Sequence, residues 1–250
     1  MPVPAGHGRG MRSPSCSSLV AGLLCLGAFL PSIAFADWAS EVPLPPGEKP
    51  VALFDGRDLT GWEGLVGQHW TVEDGTIRGA NTGEVPASTY LFTKGKHRDF
   101  RLLLEVKQTR GDNFSTMHSA VAVLGEVLED KGGPYGFKGP LVMFCNDWGV
   151  WDANRRNRVF PPRYPTNWQH PAEIVGDWNR IEVLVRGDHL RAVVNGQLVM
   201  DYYEEPGILK PSPIGLQLHA NNRPQEFRFR GLVLVDDPSD LLVTAKRTAK

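Results

Sequence analysis

The stretch "DWGVWDANRRNR" holds a dense group of side chains that could do chemistry. The carboxylate of Asp152 lies close in sequence to Arg155 and Arg156, and a guanidinium can bind an enolate oxygen or a carboxylate through paired hydrogen bonds. Trp148 and Trp151 offer flat apolar faces of the kind that pack against sugar rings. The stretch predicts a loop in which Asp152 and Arg155 act on a substrate and the other three residues bind it. The alternative is a charged loop whose Asp and Arg side chains pair with each other.

Four further residues are candidates for the same site. Glu105 lies among apolar residues of a predicted strand, where it is a base or a ligand, or else an outward Glu paired with Arg101 or a cross-strand Arg. His118 precedes another predicted strand, as a base, a metal ligand or a side chain bonded to backbone. Gln217 and His219 are two residues apart, so on a strand they share one face. That face lines a ligand site or is simply exposed.

The elements that must position these residues are predicted to be strands. Short apolar runs with a period of two, separated by Gly, Pro, Asn and Asp, favour an all-β sandwich of two antiparallel sheets. In "FRLLLEVKQ", alternation puts Phe100, Leu102, Leu104 and Val106 on one face. Asn195-Gly196 is a strong signal for a hairpin turn. Apolar faces form the core of a sandwich, and its polar faces meet water or line a groove. The core is predicted to include Trp62, Trp70 and Trp178.

The two ends of the chain differ in composition from its middle. Two arginines, the apolar run "LVAGLLCLGAFL" and the pattern "AFA" together indicate a cleavable signal peptide, with an uncleaved membrane anchor as the alternative. The predicted organisation is a signal peptide at 1–36, a Pro-rich linker at 37–50, the domain at 51–236 and a C-terminal tail at 237–250. Export to the periplasm or the extracellular space follows. Only Cys145 remains after cleavage, so no internal disulfide is expected.

Composition excludes some partners. The chain carries 27 basic and 28 acidic residues, a balance that disfavours nucleic acid and anionic membrane surfaces. No His-x-x-x-His or Cys-x-x-Cys pattern predicts zinc, whereas a hard cation such as Ca²⁺, bound by carboxylate oxygens, is compatible with the sequence. Hydrolysis of an ordinary glycoside needs two carboxylates flanking the bond. The acidic stretch "EVLED" does not put its three carboxylates on one strand face.

Six segments in order resemble the 3-keto-disaccharide hydrolase family. They are "VALFDGRDLTGW", "HWTVEDGTIRG", "DFRLLLEVK", "GDWNRIEVLVRGDHLRAVVNGQLV", "IGLQLH" and "EFRFRGLVL", and they span Val51 to Val235. The resemblance implies a concanavalin A-like jelly roll, often exported by bacteria. It also implies the activity of 3-keto-glucoside lyases and 3-keto-2-hydroxyglucal hydratases, which cleave sugars already oxidised at C3. The chain departs from the family pattern in "MHSAVAV", with Ala for Gly, and in "YGFKGPLVMFCND", which lacks a Gln.

The sequence therefore predicts an exported enzyme that cleaves 3-keto-glycosides by proton abstraction at C2, elimination at C1 and hydration of the glycal. His118 or Glu105 is the base, Arg155 binds the enolate, and Asp152 orients a group or binds a metal. The predicted catalytic set is Glu105, His118, Asp152, Arg155 and His219, and the substrate-binding set is Trp148, Trp151, Arg156 and Gln217. A non-catalytic carbohydrate-binding module and an ordinary glycoside hydrolase are the alternatives. The expected partner is an oligosaccharide or glycoside.

Overall fold

A computed structural model describes residues 38–110, 119–130, 133–144, 149–152, 158–160, 172–174 and 176–246. At residues 130, 144, 149, 151–152 and 158–160 it describes the backbone. In chain order the elements are α1 (Trp38–Glu41), β1 (Val51–Ala52), β2 (Trp62–Glu63), β3 (Trp70–Glu73), β4 (Thr76–Asn81), β5 (Thr89–Thr93), β6 (Phe100–Arg110), β7 (Ser119–Ala122), β8 (Glu126–Asp130), β9 (Gly133–Lys138), β10 (Leu141–Phe144), β11 (Gly149–Asp152), β12 (Arg158–Phe160), β13 (Asn179–Arg186), β14 (His189–Val194), β15 (Gln197–Tyr203), β16 (Gly215–Leu218) and β17 (Gln225–Asp236).

Two antiparallel sheets contain most of these strands. Within the described residues, sheet A runs β15-β14-β13-β6-β17-β4-β3, with β1 also paired to β17. Sheet B runs β12-β11-β10-β7-β16-β5-β2, and β8 and β9 form a separate hairpin. Some neighbours are consecutive in sequence, as β13, β14 and β15 are, whereas others come from distant parts of the chain, as β6 and β17 do. The all-β prediction and the two-sheet sandwich are confirmed.

The core fills the space between the two sheets. From sheet A it takes Leu102, Leu104 and Val106, which alternate along β6, and from sheet B it takes Leu216 and Leu218 of β16. Each of these side chains is essentially inaccessible to solvent. Burying one such side chain contributes about 1.5–3 kcal/mol. The face predicted for β6 from the period of two is confirmed.

The predicted turns also form. Asn195 and Gly196 have φ values of 49° and 88°, the pair of positive values that a type I′ turn requires. Glycine adopts such a φ without a steric cost, and Asn is among the few other residues that do so readily. The turn joins β14 to β15, so it fixes the register of one edge of sheet A.

The segment predicted as a linker packs against the outer face of sheet A. Ala39 of α1 is buried with Leu103 and Val233, which project from β6 and β17. Farther along, Glu48 accepts hydrogen bonds from Arg101 Nε at 3.2 Å and from Arg101 Nη2 at 3.1 Å. A linker would leave Glu48 in water. The prediction for 37–50 is therefore corrected for residues 38–50, because their apolar and charged side chains have partners on the sheet.

The segment predicted as a tail packs on the same face. Ser239 donates its backbone N–H to Glu48 at 2.9 Å and its hydroxyl to the same carboxylate at 2.8 Å. Thr244 donates its backbone N–H to Glu182 at 2.8 Å and its hydroxyl at 2.6 Å. Arg101 bonds to both carboxylates, and Arg101 and Glu182 are fully buried. The described part of 237–250 is thus a structural strap that the sequence pattern did not indicate.

The described residues contain no helix with the length and hydropathy that a membrane crossing requires.

Candidate functional site

The outer face of sheet B carries a groove floor of aromatic and small side chains. Alternation along β5 puts Leu91 in the core and turns Tyr90 and Phe92 outward. On the adjoining strands the outward positions are small, since β7 presents Ala120 and Ala122 there. The whole cluster comprises Tyr90, Phe92, Ala120, Ala122, Phe137, Leu141 and Met143, with Tyr135 packed against it. All seven side chains of the cluster are buried, and Tyr135 is half-buried beside them.

Three aromatic rings meet over this floor. The ring centroids of Tyr90 and Phe92 are 5.5 Å apart and nearly parallel. Phe137, from the β8–β9 hairpin, lies 5.8 Å from Tyr90 and 6.0 Å from Phe92. The Phe92 ring lies across Gly215, where a Cβ atom would come within 2.5 Å of it. Glycine at this position is therefore what lets the ring lie flat on the sheet.

A buried polar pair lies among these rings. Gln217 Nε2 donates a hydrogen bond to the Tyr90 hydroxyl at 3.0 Å, because β16 and β5 place the two residues opposite each other. Gln217 is only 2% exposed, yet its Oε1 has no hydrogen-bond partner among the described residues. A buried carbonyl without a partner costs about 1–3 kcal/mol.

Side chains from two neighbouring segments hold the C-terminal end of β16. Ser119, at the start of β7, donates its hydroxyl to the Gln217 carbonyl at 2.6 Å. Gln225 Nε2 donates to the His219 carbonyl at 2.6 Å, and the His219 side chain is half-buried. These hydrogen bonds fix the backbone at Gln217 and His219. Gln217 and His219 thus remain together as candidates, on the groove side of the molecule.

A pocket of about 330 Å³ adjoins the aromatic cluster. Phe92 and Tyr135 form its apolar wall, and Glu63, Glu126 and Lys94 contribute charged groups. Its volume falls at the lower end of the range of about 300–1,000 Å³ typical of small-molecule sites. Apolar walls with a few polar groups are what such sites generally contain.

Comparison with known proteins agrees with this geometry. Residues 49–234 match the model of the 3-keto-alpha-glucoside-1,2-lyase-like domain. The chain belongs to this family. Comparison with curated proteins finds no significant match.

Solved structures of similar fold extend the comparison. A proposed glycosyl hydrolase from Parabacteroides distasonis ATCC 8503 is 19% identical, with a TM-score of 0.53 over 75% of this chain and 93% of its own. A galectin-like protein of unknown function from Bacillus subtilis is 10% identical, with a TM-score of 0.55 over 75% of this chain and 94% of its own. At these identities the likeness concerns the fold. It confirms the jelly-roll sandwich expected for a 3-keto-alpha-glucoside-1,2-lyase-like domain.

The structure does not bring Glu105 to the groove of this domain. Glu105 projects from the outer face of sheet A, on the other side of the sandwich from Gln217. Its cross-strand neighbours are Arg180 and Arg230. Arg230 donates to it from Nε at 2.9 Å and from Nη2 at 3.3 Å, and Arg180 Nε lies 3.7 Å away. Alternation gave the non-core face correctly, but a sandwich has two such faces. The arrangement is the cross-strand Glu–Arg pair that was the alternative interpretation.

Six predicted site residues fall where the structure gives no side chain. His118, Trp148, Arg155 and Arg156 lie outside the described residues. Trp151 and Asp152 are described as backbone, and they form the end of β11. Trp151 pairs in register with Leu141 of the groove floor. Part of the stretch predicted as a loop is therefore a strand of sheet B.

Two features of the domain were missed or misplaced by the sequence prediction. Tyr90 and Phe92 were not among the candidates, although "TYLFT" alternates and could have predicted one aromatic face. Trp178 was predicted to lie in the core with Trp62 and Trp70. Those two are buried, whereas Trp178 is half-exposed beside Glu105, since it precedes β13 in a loop on the outer face of sheet A.

No group of three or more His, Cys, Asp or Glu side chains that could hold a metal ion occurs in the described ranges. The possible Ca²⁺ site predicted from the sequence therefore finds no ligand set there. It stays a prediction for the stretches that the structure leaves out.

Proposed function

We propose that this chain is an exported enzyme that cleaves 3-keto-glycosides at the groove of sheet B. The observation that carries the proposal is the family match, which spans the strands of the groove floor from β2 to β16. The buried Tyr90–Gln217 pair and the pocket beside the aromatic cluster support the same reading. A leader peptide at 1–36, with export, belongs to the proposal.

The reaction follows from the ketone at C3, which makes the hydrogen at C2 acidic. A base removes that proton, and the electrons of the C2–H bond form an enolate with its charge on the C3 oxygen. The enolate collapses to a C1–C2 double bond, the C1–O bond breaks, and the leaving oxygen takes a proton from an acid. Water then adds across the double bond, its hydroxyl to C1 and a proton to C2. The net change is hydrolysis, and the ketone is kept.

The roles assigned to the site follow these steps. Donors at the C3 oxygen stabilise the enolate, which is the largest demand of the first step. Arg155 is assigned as the donor to that oxygen. Asp152 is assigned to orient the Arg155 side chain. His118 is assigned as the base because Glu105 faces the opposite side of the sandwich and is paired with arginine. His219 is assigned to the catalytic set as well. Gln217 is assigned to a sugar hydroxyl, through an amide oxygen that has no partner among the described residues. The assignment of Trp148, Trp151 and Arg156 to binding is unchanged.

The decisive experiment compares matched substrates. The purified chain is incubated with a 3-keto-disaccharide and with the same disaccharide unoxidised. We expect cleavage of the keto sugar alone, with transient ultraviolet absorbance, because the glycal double bond is conjugated with the ketone. Cleavage of both sugars without that absorbance would instead identify an ordinary glycoside hydrolase. Binding without turnover would identify a carbohydrate-binding module.

A pair of variants tests which face of the sandwich does the chemistry. His118→Ala is expected to lower turnover of the keto sugar by about 10²–10⁴-fold, the range of a lost general base. Glu105→Gln is the matched control, since it changes a carboxylate on the other face and should keep turnover within about threefold of wild type. A large loss in Glu105→Gln, in a variant with a normal melting curve, would contradict the assignment.

A cation requirement is tested on the same assay. Dialysis against a chelator, followed by readdition of Ca²⁺ or Mg²⁺, measures whether turnover falls and recovers. Loss and recovery would mean that residues outside the described ranges bind the ion. Unchanged turnover after complete removal would eliminate the possible cation.

A further inference from the structure

A second pocket opens on the outer face of sheet A, on the far side of the sandwich from the groove. Its volume is about 690 Å³, in the middle of the usual range for small-molecule sites. Trp38 of the N-terminal segment forms one wall and Trp178 another, while Thr244 of the C-terminal strap contributes a third side. Glu105 lies among the lining residues. We call this the Trp38–Trp178 pocket.

Two half-exposed tryptophans give the pocket flat apolar surfaces. Each indole is accompanied by a guanidinium. Arg230 lies 4.0 Å from the ring centroid of Trp178, and Arg180 lies 5.6 Å from that of Trp38. An aromatic face beside a polar rim is suited to a ligand that is itself apolar on one side and polar at its edge.

The polar groups of the pocket are held in place before a ligand arrives. Glu105 is only 3% exposed, and its two hydrogen bonds from Arg230 fix that guanidinium. Arg180 makes a longer contact to Glu105, at 3.7 Å, and its side chain is 56% exposed. Arginine has five N–H donors, so Arg180 keeps donors available to a ligand.

The charges that line the pocket balance. Three acidic and three basic side chains are present: Glu41, Glu105, Asp177, Arg180, Arg230 and Lys246. A site for phosphate or a carboxylate ligand would be expected to carry net positive charge. Balanced charge with both donors and acceptors instead suits a neutral ligand that has many hydroxyl groups.

We propose that the Trp38–Trp178 pocket binds a neutral sugar, with a ring against an indole and hydroxyls at Arg180 and the nearby carboxylates. The proposal does not depend on the reaction at the groove. It gives the chain two sugar sites on opposite faces, so that one can hold a saccharide while the other acts.

Titration with neutral disaccharides tests this site. The full-length chain is purified and titrated with cellobiose, maltose and trehalose, with calorimetry and tryptophan fluorescence as readouts. We expect saturable binding of at least one of them. Trp178→Ala and Arg180→Ser should each raise its Kd at least tenfold. Tyr203→Ala is the matched control, because Tyr203 is an aromatic residue, 69% exposed, outside the pocket.

Further arms make each outcome decisive. Turnover of a 3-keto-disaccharide should persist in Trp178→Ala, which separates failure of this site from failure of the proposed function. Loss of binding in Gln217→Ala with normal binding in Arg180→Ser would place the sugar in the groove and overturn the proposal. The absence of saturable binding would overturn it too, as would tighter binding of glucuronate than of neutral sugars. If Trp178→Ala fails to fold, Arg180→Ser alone decides.

Discussion

The two outer faces of the sandwich are built in opposite ways. On sheet A, Arg101 and Glu182 are fully buried under the N-terminal segment and the C-terminal strap, and charged groups satisfy one another. On sheet B, the outward positions of β7 are alanines, and the one buried amide, that of Gln217, keeps an acceptor without a described partner. The buried charges of sheet A are thus paired within the fold, whereas the aromatic cluster of sheet B contains no charged side chain. Sheet A also holds buried amide oxygens without a described partner, those of Gln108 and Gln225.

This difference distinguishes charged side chains that stabilise the fold from polar groups that are candidates for binding a ligand. Buried charges are tolerated only when they are paired and hydrogen-bonded. Glu182 meets that condition through Arg101 and the backbone of Val243 and Thr244. A buried polar atom that lacks such partners destabilises the fold, and Gln217 keeps one beside the aromatic cluster of sheet B. Variants on the two faces should accordingly affect stability and function to different degrees.

The largest expected effect is on sheet A. Arg101→Leu leaves Glu48 and Glu182 without their shared cation, and breaking a buried pair in this way costs about 3–5 kcal/mol. Urea denaturation measures the loss. Arg186→Ala is the control, because its contact with Asp99 is 3.9 Å long and partly exposed, which predicts a cost of about 0–1 kcal/mol. Equal costs for the two variants would mean that the buried network does not stabilise the strap.

A smaller effect is expected from the floor of the groove. Gly215→Ala would bring a methyl group within 2.5 Å of the Phe92 ring, and such overpacking costs about 1–3 kcal/mol. Gly83→Ala is the control, since a Cβ there would meet nothing within 4 Å. That variant should be neutral or stabilised by up to about 1 kcal/mol. Melting curves of the two proteins check the contrast, and similar melting temperatures would contradict it.

Gln217→Leu should separate stability from function. The variant loses one hydrogen bond to Tyr90 and removes an acceptor that has no described partner, so the free energy of unfolding should change by about 1 kcal/mol or less. Turnover of the keto sugar should fall by at least tenfold. Normal turnover with reduced stability would mean that Gln217 has a structural role only. It would also remove the support that Gln217 gives to a substrate site at the groove.

The smallest effect is a change in pH dependence. Burial would raise the pKa of Glu48, but hydrogen bonds from Arg101 and Ser239 outweigh it and hold that pKa below its ordinary value of 4.5. The resulting stabilisation is present above pH 4.5 and is lost as the pH falls through the lowered pKa. Glu48→Gln should therefore lose less stability than wild type between pH 6 and pH 3. Glu84→Gln, at an exposed position, should follow wild type, and parallel curves for all three proteins would count against the contribution of Glu48.

The fold was predictable where a local sequence pattern determines the local structure, as in strands and tight turns. Alternation assigned Leu102 and Leu104 to one face, and Asn195-Gly196 predicted the turn, because each pattern depends on neighbours along the chain. Alternation also turned Glu105 away from the core. It could not say which of the two outer faces Glu105 would reach, since that depends on the order of strands in the sheets.

The ends of the chain were unpredictable for a related reason. "DWASEVPLPPGEKP" has no period, so nothing in it shows that Ala39 packs on Leu103 or that Glu48 bonds to Arg101. Those partners lie more than fifty residues away. The half-exposed Trp178 was misplaced in the same way, because its neighbour Arg230 comes from the last strand.

The position of β17 affects the order in which the chain can fold. β17 is the last of the described strands, yet it lies between β6 and β4, and Ser239 reaches back 191 residues to Glu48. A nascent chain that ends at β16 therefore has two separate halves of sheet A and an uncovered Arg101. Contacts of such long range form slowly. Sheet A is complete only once β17 has been added, so a chain truncated before β17 should fail to fold rather than be merely weakened.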